Sequence, residues 1–338
     1  MVNSNEDYYL NKIYNMLKDK AYKIKEDDYR CSIIYDKIKE RMLMKLDYFP
    51  HRVIQWAIMQ VIWVIITKTF TNFTCASIPN RWWKQAIKLM DKYMKDEEWT
   101  KYCLKMDIKK FYPSINHKIL KQLIRKKISC KDTLDLLDMI IDSHPWHKWL
   151  PIGSYLSQYL ANYYLTYFDH WLKEELKIKY IVRYMDDIVI FWPSKEYLWK
   201  MFGQIKEYLS NNLHLTIKKN YQIFPTAIRW VDFVWYRFFY WYRLYRKRTC
   251  KKFKEKMKKI KIKHSEWKFI NYREWASINS YVGWLMHCDS YRLYIKYIKP
   301  LRKCEFAYYY YVISKKNKKK YKKYKKKFDR KIWRINFK

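Results

Sequence analysis

Residues 180–192 read YIVRYMDDIVIFW, and this stretch decides how the rest of the chain is interpreted. Two apolar segments flank the four residues from Tyr184 to Asp187, which is the spacing of a tight hairpin between two strands. Adjacent carboxylates at such a turn repel one another, whereas a bound Mg²⁺ would reverse that cost, because this ion takes one or two carboxylates together with substrate phosphates. The alternative is that Asp186 and Asp187 are ordinary turn residues.

A third apolar segment, residues 102–107, is predicted to be a strand, and it ends in Asp107. A sheet can bring the ends of its strands together, so we expect Asp107 beside Asp186. Aspartates that hold a metal pair about 3.5–4 Å apart would clamp the attacking and leaving oxygens of an in-line phosphoryl transfer. The sequence therefore predicts a two-metal site for phosphoryl transfer.

The charge of the chain indicates a polyanionic partner. The 338 residues include 72 Lys and Arg against 32 Asp and Glu, which gives a net charge of +40. Such an excess is best tolerated beside a polyanion, and nucleic acid fits it better than a membrane does. A genome that is biased towards lysine is the alternative explanation for part of the excess.

The remaining composition predicts a globular protein of a reducing cytoplasm. Half of the residues are apolar and a fifth are aromatic. The longest apolar run, residues 53–66, is too short to span a bilayer and predicts a buried helix, and the polar start of the chain argues against secretion. The seven cysteines are scattered without a C-x-x-C pair, so neither a zinc site nor a disulfide framework is predicted.

Three segments resemble, in the same order, the motifs of reverse transcriptases. YMDD at residues 184–187 matches the Y-x-D-D box, KMDIKKFYPSI at 105–115 matches the first aspartate motif, and LPIGSYLSQ at 150–158 matches the loop and helix over the templating base pair. The resemblance implies an α+β right-hand polymerase fold, with helical fingers, a palm of mixed and antiparallel strands backed by helices, and a helical thumb. The segments it implies are an N-terminal helical extension (1–34), fingers with part of the palm (35–104), palm (105–245), thumb (246–312) and a lysine-rich tail (313–338).

The resemblance also implies which residues bind metal. Asp107 and Asp186 would bind both ions, with help from the Ile108 carbonyl, and Asp187 would lie near the primer terminus. The ions would be two Mg²⁺, with Mn²⁺ as the alternative. Lys219, or Lys218 beside it, matches the general acid that protonates the departing pyrophosphate.

Further residues match the nucleotide site of the family. Tyr112 would be the steric gate that collides with a ribose 2′-OH, and the alternative is a core aromatic. Gly153, which has no Cβ, would let the backbone approach the nucleotide or template. Gln158 would order this loop or contact the template, and Ile152 stands where many relatives have glutamine. Arg41 best matches the arginine that grips the triphosphate, ahead of the alternatives at positions 52 and 81.

The pattern around Ile152 and Gly153 resembles reverse transcriptases of diversity-generating retroelements, which copy a template RNA with errors at adenines. Residues 47–55 and 276–290 are similar to the same group. Because Ile152 cannot hydrogen-bond the incoming nucleotide, base discrimination should be weak. The implied partners are template RNA, the primer–cDNA duplex, deoxynucleoside triphosphates and a small basic accessory protein, and no membrane. The protein would be cytoplasmic and either bacterial or phage-encoded. The alternatives are a phage-defence or domesticated reverse transcriptase, and a catalytically dead protein that binds RNA.

The chain departs from the family in its glycines, of which it has 3 against 17 tryptophans. In the family motifs, glycine stands at the positions that are occupied here by Trp82, Trp149, Trp230 and Trp235. Three explanations remain open: the core has repacked around the rings, the protein is a decaying remnant, or the gene uses a code in which UGA means glycine. UGG codons at these positions would exclude the third.

Overall fold

The computed structural model describes residues 5–36, 39–143, 148–151, 153–265 and 272–301. The chain divides into two compact units, Met1–Pro225 and Thr226–Lys338. Ile152 and the predicted lysine-rich tail lie outside the described residues. The predicted boundaries of fingers, palm and thumb stay predictions.

The first unit combines nine described helices with six described strands. The helices are α1 (Glu6–Lys18), α2 (Val53–Lys68), α3 (Trp82–Tyr93), α4 (Phe111–Ser114), α5 (His117–Arg125), α6 (Lys131–Asp142), α7 (Tyr155–Tyr164), α8 (Thr166–Glu174) and α9 (Lys195–Leu213). The strands are β1 (Tyr29–Asp36), β2 (Lys39–Leu46), β3 (Tyr102–Asp107), β4 (Tyr180–Tyr184), β5 (Asp187–Trp192) and β6 (Gln222–Pro225).

The central sheet has four antiparallel strands in the order β4-β5-β3-β6. All four successive side chains from Ile188 to Phe191 are fully buried. Because neighbouring side chains of a strand point to opposite faces, this means that both faces of the sheet are covered. Helix α9 packs against β3, β5 and β6. The predicted strands at 102–107, 180–183 and 188–192 are confirmed, and they form the core of the sheet.

Helix α9 has clear signals at both ends. The Ser194 hydroxyl accepts a hydrogen bond from the Tyr197 backbone N–H at 3.3 Å and caps the first turn. The helix ends at His214, whose backbone is left-handed with φ of 51°. The sequence also predicts a strand at 213–217. That prediction is wrong, because the helix extends to Leu213 and, of these residues, only Ile217 forms a bridge, with Ile108.

The sequence also predicts that residues 1–100 are mostly helical. The hairpin of β1 and β2 corrects this prediction and the expectation that residues 1–34 form a helical extension. Each strand has eight residues, and Tyr29 pairs with Leu46. Only Tyr29, Met44 and Leu46 form a small buried cluster, while the cross-strand pair Ile33 and Met42 is exposed. Because so few of its side chains are buried, the sequence of this hairpin shows only a weak alternation of apolar and polar residues. That alternation is the signal from which strands are predicted, so the sequence does not predict this hairpin.

Helix α2 is only half buried, contrary to the prediction of a buried helix. Ile54, Ile58 and Ile62 face the core at intervals of four residues, whereas Trp56 and Val61 are exposed. By length and composition alone, the 21-residue segment Tyr48–Lys68 could cross a membrane. In the structure, 39% of its most apolar part is buried inside the protein. The same properties are found in core helices.

The second unit begins with a three-stranded antiparallel meander and continues as helices. Its elements are β7 (Val231–Phe233), β8 (Tyr236–Phe238), β9 (Arg243–Tyr245), α10 (Lys247–Ser265), α11 (Tyr272–Leu285) and α12 (Tyr291–Leu293). Phe253, Met257 and Ile260 form the buried stripe of α10, and lysines occupy much of the rest of this helix. The sequence also predicts an aromatic hairpin at 231–242 and a helical, basic stretch at 250–300. The hairpin and the helices are confirmed, and the basic character is clearest in α10.

Candidate active site

Strands β3 and β5 bring the three predicted aspartates together. Asp107 ends β3 and lies opposite Asp187, the first residue of β5. The backbone N–H of Ile108 donates a hydrogen bond to the Asp186 carbonyl oxygen at 3.1 Å, which attaches the turn to the end of β3. Carboxylates from two neighbouring strands therefore share one site.

The electrostatics of this site favour a bound cation. Burial, followed by the negative charge of Asp107, raises the pKa of Asp186 to about 6. A shift of this kind arises when the charged form loses water and faces a like charge, and a cation between the carboxylates relieves both costs. Carboxylate oxygens are also the donors that Mg²⁺ and Mn²⁺ prefer.

The donor set fits ions that are shared with a substrate. Among the described residues, no group of three or more His, Cys, Asp and Glu side chains could hold a metal ion by itself. Mg²⁺ is usually bound through one or two carboxylates plus substrate phosphates, without a complete cage of protein ligands. Asp107 and Asp186 meet that description.

Two lysines accompany the aspartates. The Lys218 ammonium donates a hydrogen bond to the Asp107 carboxylate, and Lys105 Nζ lies 3.7 Å from Asp187 Oδ2. Lys219, the preferred general acid, is exposed at the turn that follows. Of the two lysines that were considered for that role, only Lys218 contacts the carboxylate of Asp107 among the described contacts.

Tyr112 lies against the aspartate turn, where a steric gate is predicted. Its hydroxyl is 3.9 Å from Met185 Sδ, and its backbone carbonyl accepts a hydrogen bond from the Leu150 N–H at 3.1 Å. Burial, and then the charge of Asp186, raises the pKa of Tyr112. Tyr112 is therefore a neutral ring between the Y-x-D-D turn and the loop that begins at Leu150.

Gly153 and Gln158 line a groove of about 740 Å³ that also contains Tyr48, Arg52 and Trp56. Gly153 has φ of +113°, a conformation that side chains rarely allow. A Cβ at this position would lie 3.7 Å from Leu43 Cδ2, which is ordinary contact, so backbone conformation alone explains the glycine. Cationic and aromatic side chains in one groove are the combination that binds single-stranded nucleic acid.

The predicted arginines are found in different settings. Arg41 lies in β2 opposite Ile34, and its side chain is outside the described part of the structure, as is the whole of Ile152. Arg52 is exposed in the groove. Arg81 donates hydrogen bonds to the carbonyl oxygens of Thr71 and Thr74 at 2.6 and 3.3 Å, and it therefore holds a loop.

Three of the four tryptophans at glycine positions have left-handed backbones. The φ angles are 42° for Trp82, 96° for Trp149 and 73° for Trp235, and Trp241 joins them with 69°. Trp230 is not among the described residues with positive φ. Left-handed conformations are sterically unfavourable for side chains and are routine for glycine.

Sequence reasoning missed Arg183 and Asp169, which form a fully buried ion pair next to the aspartate turn. The available signal was a single arginine in the otherwise apolar strand β4. Charged side chains are rarely buried without a partner, so this arginine alone would have justified a search for one.

The family described as Reverse transcriptase (RNA-dependent DNA polymerase) matches residues 24–231. This range is more than half of the chain. The chain therefore belongs to the reverse transcriptase family. The predicted family and class of enzyme, RNA-directed DNA polymerase, are confirmed.

A solved telomerase structure shares the fold, and a second is reported with it. The apo telomerase from Candida tropicalis, truncated from its C-terminal domain, is 11% identical with a TM-score of 0.50, over 71% of this chain and 60% of that chain. The telomerase from Candida albicans in complex with a TWJ fragment of telomeric RNA is 11% identical with a TM-score of 0.48, over 62% of this chain and 43% of that chain. The chain thus spans about half the length of these telomerases. No curated protein sequence matches it. The predicted right-hand polymerase fold is confirmed.

Proposed function

We propose that this protein extends a DNA primer on an RNA template by two-metal nucleotidyl transfer. The observation that carries the proposal is the position of Asp107 and Asp186 at adjoining strand ends, where burial and mutual repulsion raise the pKa of Asp186 to about 6. A site with these properties gains stability when cations and phosphates enter together.

In the proposed reaction, the primer 3′-oxygen attacks the α-phosphorus of a deoxynucleoside triphosphate, and pyrophosphate leaves. Mg²⁺, or Mn²⁺, held by the two aspartates with the Ile108 carbonyl would supply the positive charge that in-line phosphoryl transfer requires. Asp187 would lie beside the primer terminus. Lys218, which already contacts Asp107, is the better placed of the two lysines to give a proton to pyrophosphate.

The proposed substrates follow from the surroundings of this site. Tyr112, at the Y-x-D-D turn, would exclude a ribose 2′-OH. The groove with Arg52, Tyr48 and Trp56 would bind template RNA, with Gly153 and Gln158 in its wall. Arg41 would contact the triphosphate.

The basic helix α10 would contact the backbone of the primer–template duplex in a salt-dependent manner. The sequence resemblance further suggests a small basic accessory protein as a partner and the cytoplasm as the location of a bacterial or phage-encoded protein.

The narrower proposal is error-prone cDNA synthesis in a diversity-generating retroelement. It is supported by the sequence around Ile152 and Gly153 and by the segments at 47–55 and 276–290. A nearby copy of the coding end of a variable protein in the surrounding DNA is the expected genomic context. Its absence would favour phage defence or a domesticated role.

A catalytically dead RNA-binding protein is the second candidate, because Trp149, with φ of 96°, directly precedes the active-site loop. The experiment that separates the two candidates is primer extension by the purified full chain. An RNA template, an annealed DNA primer, deoxynucleoside triphosphates and Mg²⁺ are supplied to wild type and to the Asp107→Asn variant.

The expected result is extension by wild type and none by Asp107→Asn, with equal binding of the primer–template by both. A third protein combines Trp149→Gly, Trp82→Gly and Trp235→Gly. If both wild type and this triple variant bind the RNA but extend no primer, the proposed synthesis is overturned and the RNA-binding protein is favoured.

A further inference from the structure

We propose that Arg183 is a positioning residue that fixes the catalytic turn through the carbonyl group of Met185. The inference rests on the proposed function, because it concerns the same carboxylates. Arg183 lies in β4, two residues before Met185, and its Nη1 donates a hydrogen bond to the Met185 carbonyl oxygen at 3.0 Å. That carbonyl and the Asp186 N–H belong to one planar peptide unit. Holding the carbonyl therefore holds the backbone from which the Asp186 carboxylate extends.

Arg183 is itself held by a buried carboxylate. The side chains of Arg183 and Asp169, which belongs to α8, are both 0% exposed. Nε donates to Asp169 Oδ1 at 2.7 Å, and Nη2 donates to Asp169 Oδ2 at 2.5 Å. This two-pronged contact orients the plane of the guanidinium group, which a single contact would leave free to rotate.

Every N–H of the guanidinium group has an acceptor. Besides the bonds to Asp169 and Met185, Nη1 donates to Asn162 Oδ1 at 3.1 Å and Nη2 lies 3.4 Å from Thr74 Oγ1. An arginine has five such N–H groups, and each has an acceptor here, with the Nε–H shared between both oxygens of Asp169. A buried charge pair is costly unless its hydrogen bonds are complete, and in this network they are.

The acceptors are anchored in turn. Asn162 Nδ2 donates to the Ala76 carbonyl oxygen at 2.8 Å, and the Thr74 hydroxyl donates to Asp169 Oδ2 at 2.7 Å. The backbone of Arg183 is also bonded on both sides, because its N–H donates to the Phe73 carbonyl and its own carbonyl accepts from the Cys75 N–H, each at 3.0 Å. The guanidinium group therefore has one orientation.

The turn needs such support because Met185 has a left-handed backbone, with φ of 56°. Tyr184 pairs with Asp187, so Met185 and Asp186 alone reverse the chain between β4 and β5. A methionine gains nothing from this conformation, which glycine adopts freely. The hydrogen bond from the rigidly held Arg183 guanidinium group to the Met185 carbonyl oxygen is a physical reason why the turn keeps its left-handed conformation.

The test separates positioning from simple stability. Replacing a buried ion pair by apolar residues of similar volume is often neutral for folding, so the key variant is Arg183→Met combined with Asp169→Leu. Arg183→Lys is the conservative variant, and Arg125→Met is the matched control, because Arg125 makes the same two-pronged contact with Asp138 at the surface. The measurements on the full chain are the melting temperature, kcat and KM of primer extension, and Mn²⁺ affinity by calorimetry.

We expect the paired variant to keep its melting temperature within a few degrees and its KM for nucleotide within about threefold. Its kcat should fall about 100-fold, since a displacement of about 1 Å in a catalytic group has that effect. Its Mn²⁺ affinity should fall about tenfold. Arg183→Lys should show a smaller loss of both, because an amine lacks the planar fork, and Arg125→Met should resemble wild type.

A folded paired variant with wild-type kcat and Mn²⁺ affinity would overturn the proposal. If that variant does not fold, Arg183→Lys decides, and unchanged kcat and Mn²⁺ affinity there have the same meaning. Should wild type extend no primer, the proposed function fails, whereas Mn²⁺ affinity still tests the positioning. If wild type also binds no Mn²⁺, the positioning proposal fails with it.

Discussion

Lys218 and Asp107 are joined twice, once through their side chains and once through their backbones. The Lys218 ammonium donates to the Asp107 carboxylate, and the Lys218 backbone N–H donates to the Asp107 carbonyl oxygen at 2.8 Å. The backbone bond keeps the lysine at the site when a cation takes the carboxylate. In the proposed reaction, its ammonium group would then be free to give a proton to the departing pyrophosphate.

Lys218→Ala should therefore lower kcat by about 100-fold, the lower end of the range for the loss of a general acid. Lys219→Ala is the matched control, because its side chain is exposed, and its kcat should stay within about twofold of wild type. Single-turnover primer extension measures both. The reverse order of effects would assign the role to Lys219.

The raised pKa of Asp186 predicts how stability depends on pH in the absence of divalent ions. The folded state holds a proton up to about pH 6, whereas an unfolded aspartate releases it near pH 3.9. Between these values the folded state binds more protons, so its free energy of unfolding falls as pH rises through the window. The cost is fully present above pH 6.

Asp186→Asn should accordingly stabilise the metal-free protein at pH 7.5, by on the order of 1–2 kcal/mol, and leave it unchanged near pH 4. Urea denaturation in EDTA at both pH values measures this, with the exposed Asp135→Asn as control. Addition of Mg²⁺ should stabilise wild type and not Asp186→Asn. A variant that is less stable than wild type at pH 7.5 would contradict the repulsion that we describe.

The sequence predicted the site better than its surroundings. The aspartates can be found from the sequence because their strands are buried on both faces and form continuous apolar runs. In the structure, the pairing of these strands places Asp107 opposite Asp187. The hairpin of β1 and β2 escapes prediction because only one small cluster is buried. The role of Arg183 could not be predicted, because its partner Asp169 is 14 residues away in the sequence, on another element, and the two meet only in the folded chain.

The strain of a left-handed backbone at a tryptophan can be tested at Trp241, which lies between β8 and β9. It is 68% exposed. Trp241→Gly should raise the free energy of unfolding by about 1 kcal/mol, because it relieves a left-handed side-chain clash. Trp199→Gly is the control, since Trp199 lies within α9 and glycine there should cost about 1 kcal/mol. Urea denaturation measures both.

Trp235 is a second such position, in the hairpin of β7 and β8. Val234 and Trp235 have φ of 41° and 73°. A two-residue hairpin turn needs two successive left-handed residues of this kind, and Asn-Gly is the sequence that usually provides them. Trp230 differs, because its ring contacts Arg237 and Lys247 at 5.2 and 4.8 Å. We thus expect UGA codons at 82, 149, 235 and 241. UGG there would leave repacking or decay as the explanation, and loss of stability in Trp241→Gly would argue for repacking.

The proposed low fidelity depends on Ile152, which cannot read the incoming base by hydrogen bonding. Ile152→Gln should lower misincorporation opposite template adenine by about tenfold, since polar readout discriminates more strongly than an apolar contact. Sequencing of cDNA made on a defined RNA template measures the error spectrum, and Ile152→Leu is the apolar control. An unchanged spectrum in Ile152→Gln would place the source of errors elsewhere.

Tyr112 should select deoxynucleotides by the bulk of its ring. Tyr112→Ala is expected to reduce discrimination against ribonucleoside triphosphates by at least about tenfold, because the collision with the 2′-OH disappears while no hydrogen bond to the sugar is lost. Tyr112→Phe keeps the ring and removes only the hydroxyl, which lies 3.9 Å from Met185 Sδ, so its discrimination should resemble that of wild type. The ratio of kcat/KM for matched deoxy- and ribonucleotides measures the effect. A Tyr112→Ala protein that still rejects ribonucleotides would make Tyr112 a core aromatic with no part in sugar selection.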